Sequence, residues 1–143
     1  MTDVSRDDRR CALQVLYQLD LLDDPDVDSV IRSLEDGPFS AEVRARGADL
    51  AVQAWSGREE LDRLVSPCSP DWPTHRQPVI DRNILRISLH EITKVGTPGN
   101  RSINGAVELA KEYGTEKSPA FINAVLDRIW KTTLQEGTPR DRA

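Results

Sequence analysis

Apolar residues recur at helical spacing along most of the chain, and no stretch of strand length alternates apolar with polar positions. The pattern is clearest over three consecutive segments. In 79–95 (VIDRNILRISLHEITKV) the apolar positions Ile80, Ile84, Leu85, Ile87, Leu89 and Ile92 run nearly all round the wheel. A helix of that kind is covered on several sides, so this segment is expected to be the central strut. In 102–114, Ile103, Ala106, Val107 and Ala110 form one stripe, and in 118–134 Ile122, Val125, Leu126 and Ile129 form another. The punctuation agrees with these bounds. Ser118 can cap the last helix with Pro119 at its first position, where a missing N–H costs nothing. Ser102 can cap the one before, and Gly114 suits a left-handed residue closing it.

The earlier half reads the same way. Residues 6–22 predict an amphipathic helix with Ala12, Val15, Leu16, Leu19 and Leu22 inward, broken by Asp23-Asp24-Pro25. Asp26 or Asp28 can cap a short helix reaching Leu34, and Gly37-Pro38 makes a turn. Ser40 opens a helix to about residue 56 whose buried side holds Val43, Ala48, Ala51, Val52 and Trp55, and Gly57 ends it. A short helix over 58–65 follows, with Leu61, Leu64 and Val65 inward. Pro67, Pro70, Pro73 and Pro78 make 66–78 a connector, with Trp72 pinning it to the core. The expectation is an all-α protein: one domain of about seven helices in two helical halves, 5–65 and 72–134, with a mobile tail over 135–143.

Charge and composition narrow the chemistry. With 143 residues there is enough chain for one domain with a real core. The formal net charge of −5 argues against a broad, non-specific grip on nucleic acid but leaves room for a local basic or aromatic site. No apolar run reaches the roughly 20 residues that span a bilayer, so no membrane association is expected. The opening MTDVSRDDRR is polar, unlike a signal peptide. Cys11 and Cys68 match no metal or redox spacing and make no disulfide framework, which points to a reducing, cytoplasmic setting. His75 and His90 stand without a partner at ligand spacing, and there is no Gly-rich phosphate loop, HExxH or GxSxG. No catalysis and no cofactor are expected. Cys11 reads as a packed thiol.

What remains is a candidate surface. Arg6, Arg10, Leu13 and Tyr17 fall together on one face of the first helix with Gln14 beside them. Guanidinium groups beside a phenol ring can neutralise phosphates and stack a base, and a plain solvated face carrying a tyrosine is the alternative. Asp3, Asp7 and Asp8 offset the nearby arginines. Phe121 lies at the edge of its helix's apolar arc, in the first turn after Ser118-Pro119, where free N–H groups suit a phosphate; core packing is its alternative. Asp81 favours the positive end of its helix, and Arg82, Arg86 and Glu91 are expected in ion pairs with neighbouring helices.

Three spaced blocks carry a family resemblance. They are W-x3-R-x4-D-R-x-I-L-R (Trp72, Arg76, Asp81, Arg82, Ile84, Leu85, Arg86), IN-x-AVELAKEYG from Ile103, and S-x2-FIN-x-VLD from Ser118. With a weaker block, R-x-x-A-x-Q-x-L-Y from Arg9, the chain resembles the NusB family of bacterial transcription antitermination factors over most of 9–130. The resemblance implies an all-helical protein of two helical bundles, without cofactor or catalysis. It implies binding of boxA-type single-stranded RNA in ribosomal RNA leaders together with NusE, a small-subunit ribosomal protein, within an RNA polymerase complex that suppresses termination. Carried over by position, the RNA surface would use Arg6, Arg9, Arg10, Gln14, Tyr17, Asp81, Ser118, Phe121 and Asn123. The chain departs from the family pattern with Gly105 for a usual Glu, Ala124 for Gly, His90 for Tyr, Gln53-Ala54 for Gly-Val, and a less basic N-terminal arm. With Ser102 as cap, Gly105 would forfeit a reciprocal capping bond. The competing reading is a stand-alone helical scaffold related to the N-terminal domain of ribosomal RNA cytosine methyltransferases, with RNA binding weakened. Monomer and homodimer both stay open.

Overall fold

The computed structural model describes residues 3–22 and 25–134; the expected break at Asp23-Asp24 and the expected tail over 135–143 lie outside the described residues. Seven α-helices follow one another among them: α1 (Arg6–Leu21), α2 (Val27–Arg32), α3 (Ala41–Ser56), α4 (Arg58–Val65), α5 (Val79–His90), α6 (Gly99–Tyr113) and α7 (Ser118–Ile129). α5 and α7 each run on into a π-helical turn, Glu91–Val95 and Trp130–Leu134, so both helical segments extend as far as their apolar pattern does.

Local chemistry sets the entrances. Ser5 and Asp8 form a reciprocal capping box: the Asp8 amide donates to Ser5 Oγ and the Ser5 amide donates to Asp8 Oδ2, each at 3.0 Å. Asp26 caps α2 and Ser40 caps α3. α1 ends at Leu21, one residue before the expected limit. Leu22 is extended (φ −85°, ψ 146°), so it leaves the helical stripe and stands 51 % exposed instead of in the core.

α1 packs most extensively against α3. The buried side of α3 is Gly47, Ala48, Leu50, Ala51 and Ala54, while Val43, Val52 and Trp55 are only half-buried. The small residues let the two backbones approach, which turns the bulky ones to the flanks. α5 is the central helix: it packs against α1, α3, α4, α6 and α7. Ile84, Leu85, Ile87 and Leu89 are buried, as the all-round apolar pattern requires.

Such burial takes polar side chains inside too, and the charged ones among them find partners. Asp20 of α1 receives Arg82 through Nε and Nη2 at 2.6 and 2.7 Å, Asn83 Nδ2 at 2.8 Å and Arg86 Nη1 at 3.1 Å. Arg86 also makes a two-pronged pair with Asp62 of α4, at 2.9 and 2.8 Å. At the other end of α5, Arg9 Nε and Nη2 meet the two Glu91 oxygens at 2.9 and 2.7 Å in the interior.

Three punctuation marks differ from expectation. α6 starts at Gly99, so Ser102 is inside the helix and buried. Its hydroxyl lies 2.7 Å from Ser88 Oγ and donates to the Ser88 carbonyl at 3.1 Å, clamping α6 to α5 instead of capping. Gly105 is therefore not the third residue of the helix, and no capping bond is forfeited there. Lys117, not Ser118, occupies the cap position of α7. Gly114 is extended (φ −87°, ψ −168°), not left-handed; glycine suits it because a Cβ would lie 2.5 Å from the Ser118 side chain. In the connector, the buried Gln77 closes the segment on itself, its Nε2 donating to the Trp72 carbonyl at 2.9 Å, while Trp72, 36 % exposed, joins it to α7 through Phe121.

Burial alone would raise the Asp20 carboxyl, but hydrogen bonds from Arg82 and Asn83 and the charges of Arg86 and Arg82 outweigh it and hold the group below its ordinary 3.8. A carboxylate depressed in the folded state adds stability that is present above its unfolded value and lost as pH falls below it. Asp20→Asn should cost about 3 kcal/mol at neutral pH, as expected for breaking a largely buried ion network. In urea unfolding, the gap between wild type and variant should close as the buffer is taken below pH 3.8.

Candidate nucleic-acid interface

The outward face of α1 carries the exposed Arg6 and Tyr17, with Arg10 and Gln14 half-buried beside them. Tyr17 is 39 % exposed. Its ring stands at a groove of about 250 Å³ lined by Leu13, Gln14, Gln18, Ile80 and Tyr113, predominantly apolar in character. Leu13, on the same face by its position on the wheel, is buried and helps line this groove. A second, more polar groove of about 500 Å³ shares Gln14 and Tyr113 and extends past Arg10 to the α3 entrance at Ser40.

The arginines here are held by acids. Arg10 Nε donates to Glu112 Oε1 at 2.9 Å and its Nη1 to Asp7 Oδ1 at 2.9 Å, while Arg6 Nη2 reaches Glu112 at 3.5 Å. The hydrogen bond to Glu112, then that to Asp7, raises the Arg10 guanidinium. For Glu112, desolvation is the largest single influence and raises the carboxyl, but the Arg10 bond and charge, with Tyr113 and Arg6, together outweigh it and hold the group below its usual range. Burial first, then the Glu112 charge, raises the Tyr113 phenol.

Beyond the groove, Ile80 leads directly to Asp81. The Ser118 hydroxyl donates to Asp81 Oδ1 at 2.8 Å and accepts the Thr115 amide at 2.9 Å, tying the start of α7 to the start of α5. Burial raises the Asp81 carboxyl, and the Ser118 bond offsets part of that rise. One turn further, the half-buried Phe121 meets Trp72 edge-on, with ring centroids 4.7 Å apart and planes at 64°.

The NusB family profile matches residues 6–131. The chain belongs to the NusB family. It is 41% identical over 126 residues to the transcription antitermination protein NusB of Herpetosiphon aurantiacus, covering 85% of this chain and 86% of that one. Among solved structures, T. maritima NusB superposes with a TM-score of 0.80 at 28% identity, over 92% of this chain and 94% of that one. A crystal structure of the antitermination factors NusB and NusE in complex with dsRNA gives 0.77 at 25% identity, over 92% and 98%.

Within this NusB-family fold the sequence-derived candidates separate into three groups. Arg6, Arg10, Gln14 and Tyr17 gather along α1 at the two grooves. Phe121 is accessible beside Trp72, and Asn123 is exposed, turned about 200° from Phe121 by its two-residue offset. Arg9, Asp81 and Ser118 lie inside. Arg9 is 7 % exposed with its fork committed to Glu91, Asp81 is 2 % exposed, and Ser118 is 1 % exposed. Arg9 lies one residue, about 100°, from Arg10, which turns it inward. Asp81 and Ser118 satisfy each other in a buried joint between α5 and α7. Sequence reasoning missed Glu112 and Tyr113. The available signal was Tyr113 continuing the Ala106–Ala110 stripe three residues on, which places Glu112 at its edge. Cys11 is buried, and desolvation pushes its thiol up to about 11, consistent with a packed, unreactive side chain.

Ser118→Ala should destabilise the protein by about 1–3 kcal/mol, because the buried Asp81 carboxylate loses its donor and the Thr115 amide its acceptor. A lowered urea midpoint with unchanged slope is the expected result.

Proposed function

We propose that this protein is a transcription antitermination factor that binds boxA-type single-stranded RNA together with NusE, within a complex on RNA polymerase. It acts in the cytoplasm by binding rather than catalysis and uses no cofactor. The observation that carries the RNA reading is the exposed Tyr17 ring at an apolar groove, on the helix face that also presents Arg6 and Arg10. An unpaired base can stack on the ring while its phosphates meet the guanidinium groups. Family relatives named as antitermination proteins, and a NusB–NusE complex with dsRNA among the similar folds, support the same reading. The methyltransferase-related alternative is not favoured, since the chain spans 86% of a relative named for antitermination.

The grip is selective. A net charge of −5 gives little long-range attraction, and Glu112 competes with phosphate for Arg10 and Arg6. Affinity then depends on stacking and on local rearrangement of the acid–arginine cluster.

Binding of a boxA-type RNA strand, with and without NusE, and of the same sequence as a duplex tests this directly. Tyr17→Ala should weaken single-strand binding by about 1–3 kcal/mol. Unchanged affinity in that variant removes the proposed surface. Glu112→Gln should tighten binding by freeing both arginines, and the salt slope should steepen by about −0.7 for each additional phosphate neutralised.

A further inference from the structure

We propose that Trp72 is a second base-stacking platform, so that a bound RNA strand runs from the Tyr17 groove across the α5–α7 joint to the Trp72–Phe121 pair. The inference rests on the RNA reading above and extends it to a residue outside the α1 face.

Trp72 touches α7 through Phe121, and within the connector its backbone is tied by another side chain. Gln77 is 3 % exposed and donates to both the Trp72 carbonyl and Ser69 Oγ. Trp72 keeps 36 % of its surface in solvent, an uncommon disposition for the largest apolar ring. Its backbone is tied down on both sides and its ring has one packed neighbour. The Trp72 amide donates to the Ser69 carbonyl at 3.1 Å, the Trp72 carbonyl accepts Gln77 Nε2 at 2.9 Å, and Phe121 meets the ring edge-on at 4.7 Å. An edge-to-face pair sets ring orientation without covering both faces. A ring already held in place loses little freedom when a base settles on it.

Position adds a second argument. Tyr17 and Ile80 line one groove, Ile80 precedes Asp81, Asp81 holds Ser118, and Phe121 is one turn beyond Ser118. The two aromatic sites are thus the ends of one short run of contacting residues. The exposed charged residues nearest in sequence to Trp72 and Phe121 are mixed in sign: Arg76 and Lys117 against Asp71 and Glu116. Stacking, not phosphate neutralisation, is what this end of the surface offers.

The test uses the full chain, a boxA-type single-stranded RNA, and the variants Trp72→Leu, Trp72→Phe and Tyr17→Ala. Trp72→Leu should lose affinity on the order of tenfold, with the same ratio to wild type at low and high salt, and Trp72→Phe should lose less. RNA should quench the tryptophan emission of the wild type, and the quench should vanish in both Trp72 variants, which guards against a loss caused by altered folding. If Tyr17→Ala weakens binding while Trp72→Leu matches wild type in affinity, the second platform is overturned and the first stands. A Trp72→Leu loss that shrinks at high salt also overturns it, because that marks a charge effect. If the wild type binds no RNA, the functional reading falls and this inference with it.

Discussion

A helix buried on several sides must bring its charged residues indoors, and that fact about α5 governs the molecule. An uncompensated charge in such a place costs several kcal/mol, so every one of these groups dictates where a neighbour stands. Arg82 and Arg86 demand Asp20, Arg86 also demands Asp62, and Glu91 demands Arg9. Arg9 and Asp20 both belong to α1. Eleven residues is close to three full turns, so both project from the same side of that helix, toward opposite ends of α5. Two ion sites that far apart fix the rotation of α1 about its own axis. Once that rotation is set, Arg6, Arg10 and Tyr17 lie up to about a quarter turn away, on the outside. The candidate surface is in this sense the remainder left by the charges that face inward.

Much of this was visible in the residues themselves, and the exceptions share one cause. Stripes such as Ile122–Val125–Leu126–Ile129 are read directly because burial repeats with the helical period. Asp26 and Ser40 are read as caps because their partners sit three residues away. Ser102 and Ser118 look locally identical to those caps but bond to Ser88 and Asp81, 14 and 37 positions distant. Sequence proximity carries no trace of such partners. Arg9 and Arg10 make the same point: neighbours of one chemistry, parted only by an acid 82 positions away. For the candidate surface, the wheel located the α1 face, and the three-dimensional packing supplied Glu112, Tyr113 and Trp72.

The acidic balance of the chain and its arginine face are two aspects of one arrangement. Glu112 and Asp7 hold Arg10 in a defined pose, and the same acids lower the field that would attract any polyanion. On the proposed reading, a ligand that offers only phosphate gains little by displacing them, and one that also offers bases to Tyr17 adds stacking energy.

Gly105 carries a longer consequence. A Cβ there would lie 2.6–2.7 Å from the Arg9 guanidinium, which is already locked to Glu91. Positions 9, 91 and 105 are therefore coupled in space: a side chain can be placed at 105 only if the arginine is re-aimed away from Glu91. A helix grafted in place of α6 with a larger residue there needs a matching change in α1.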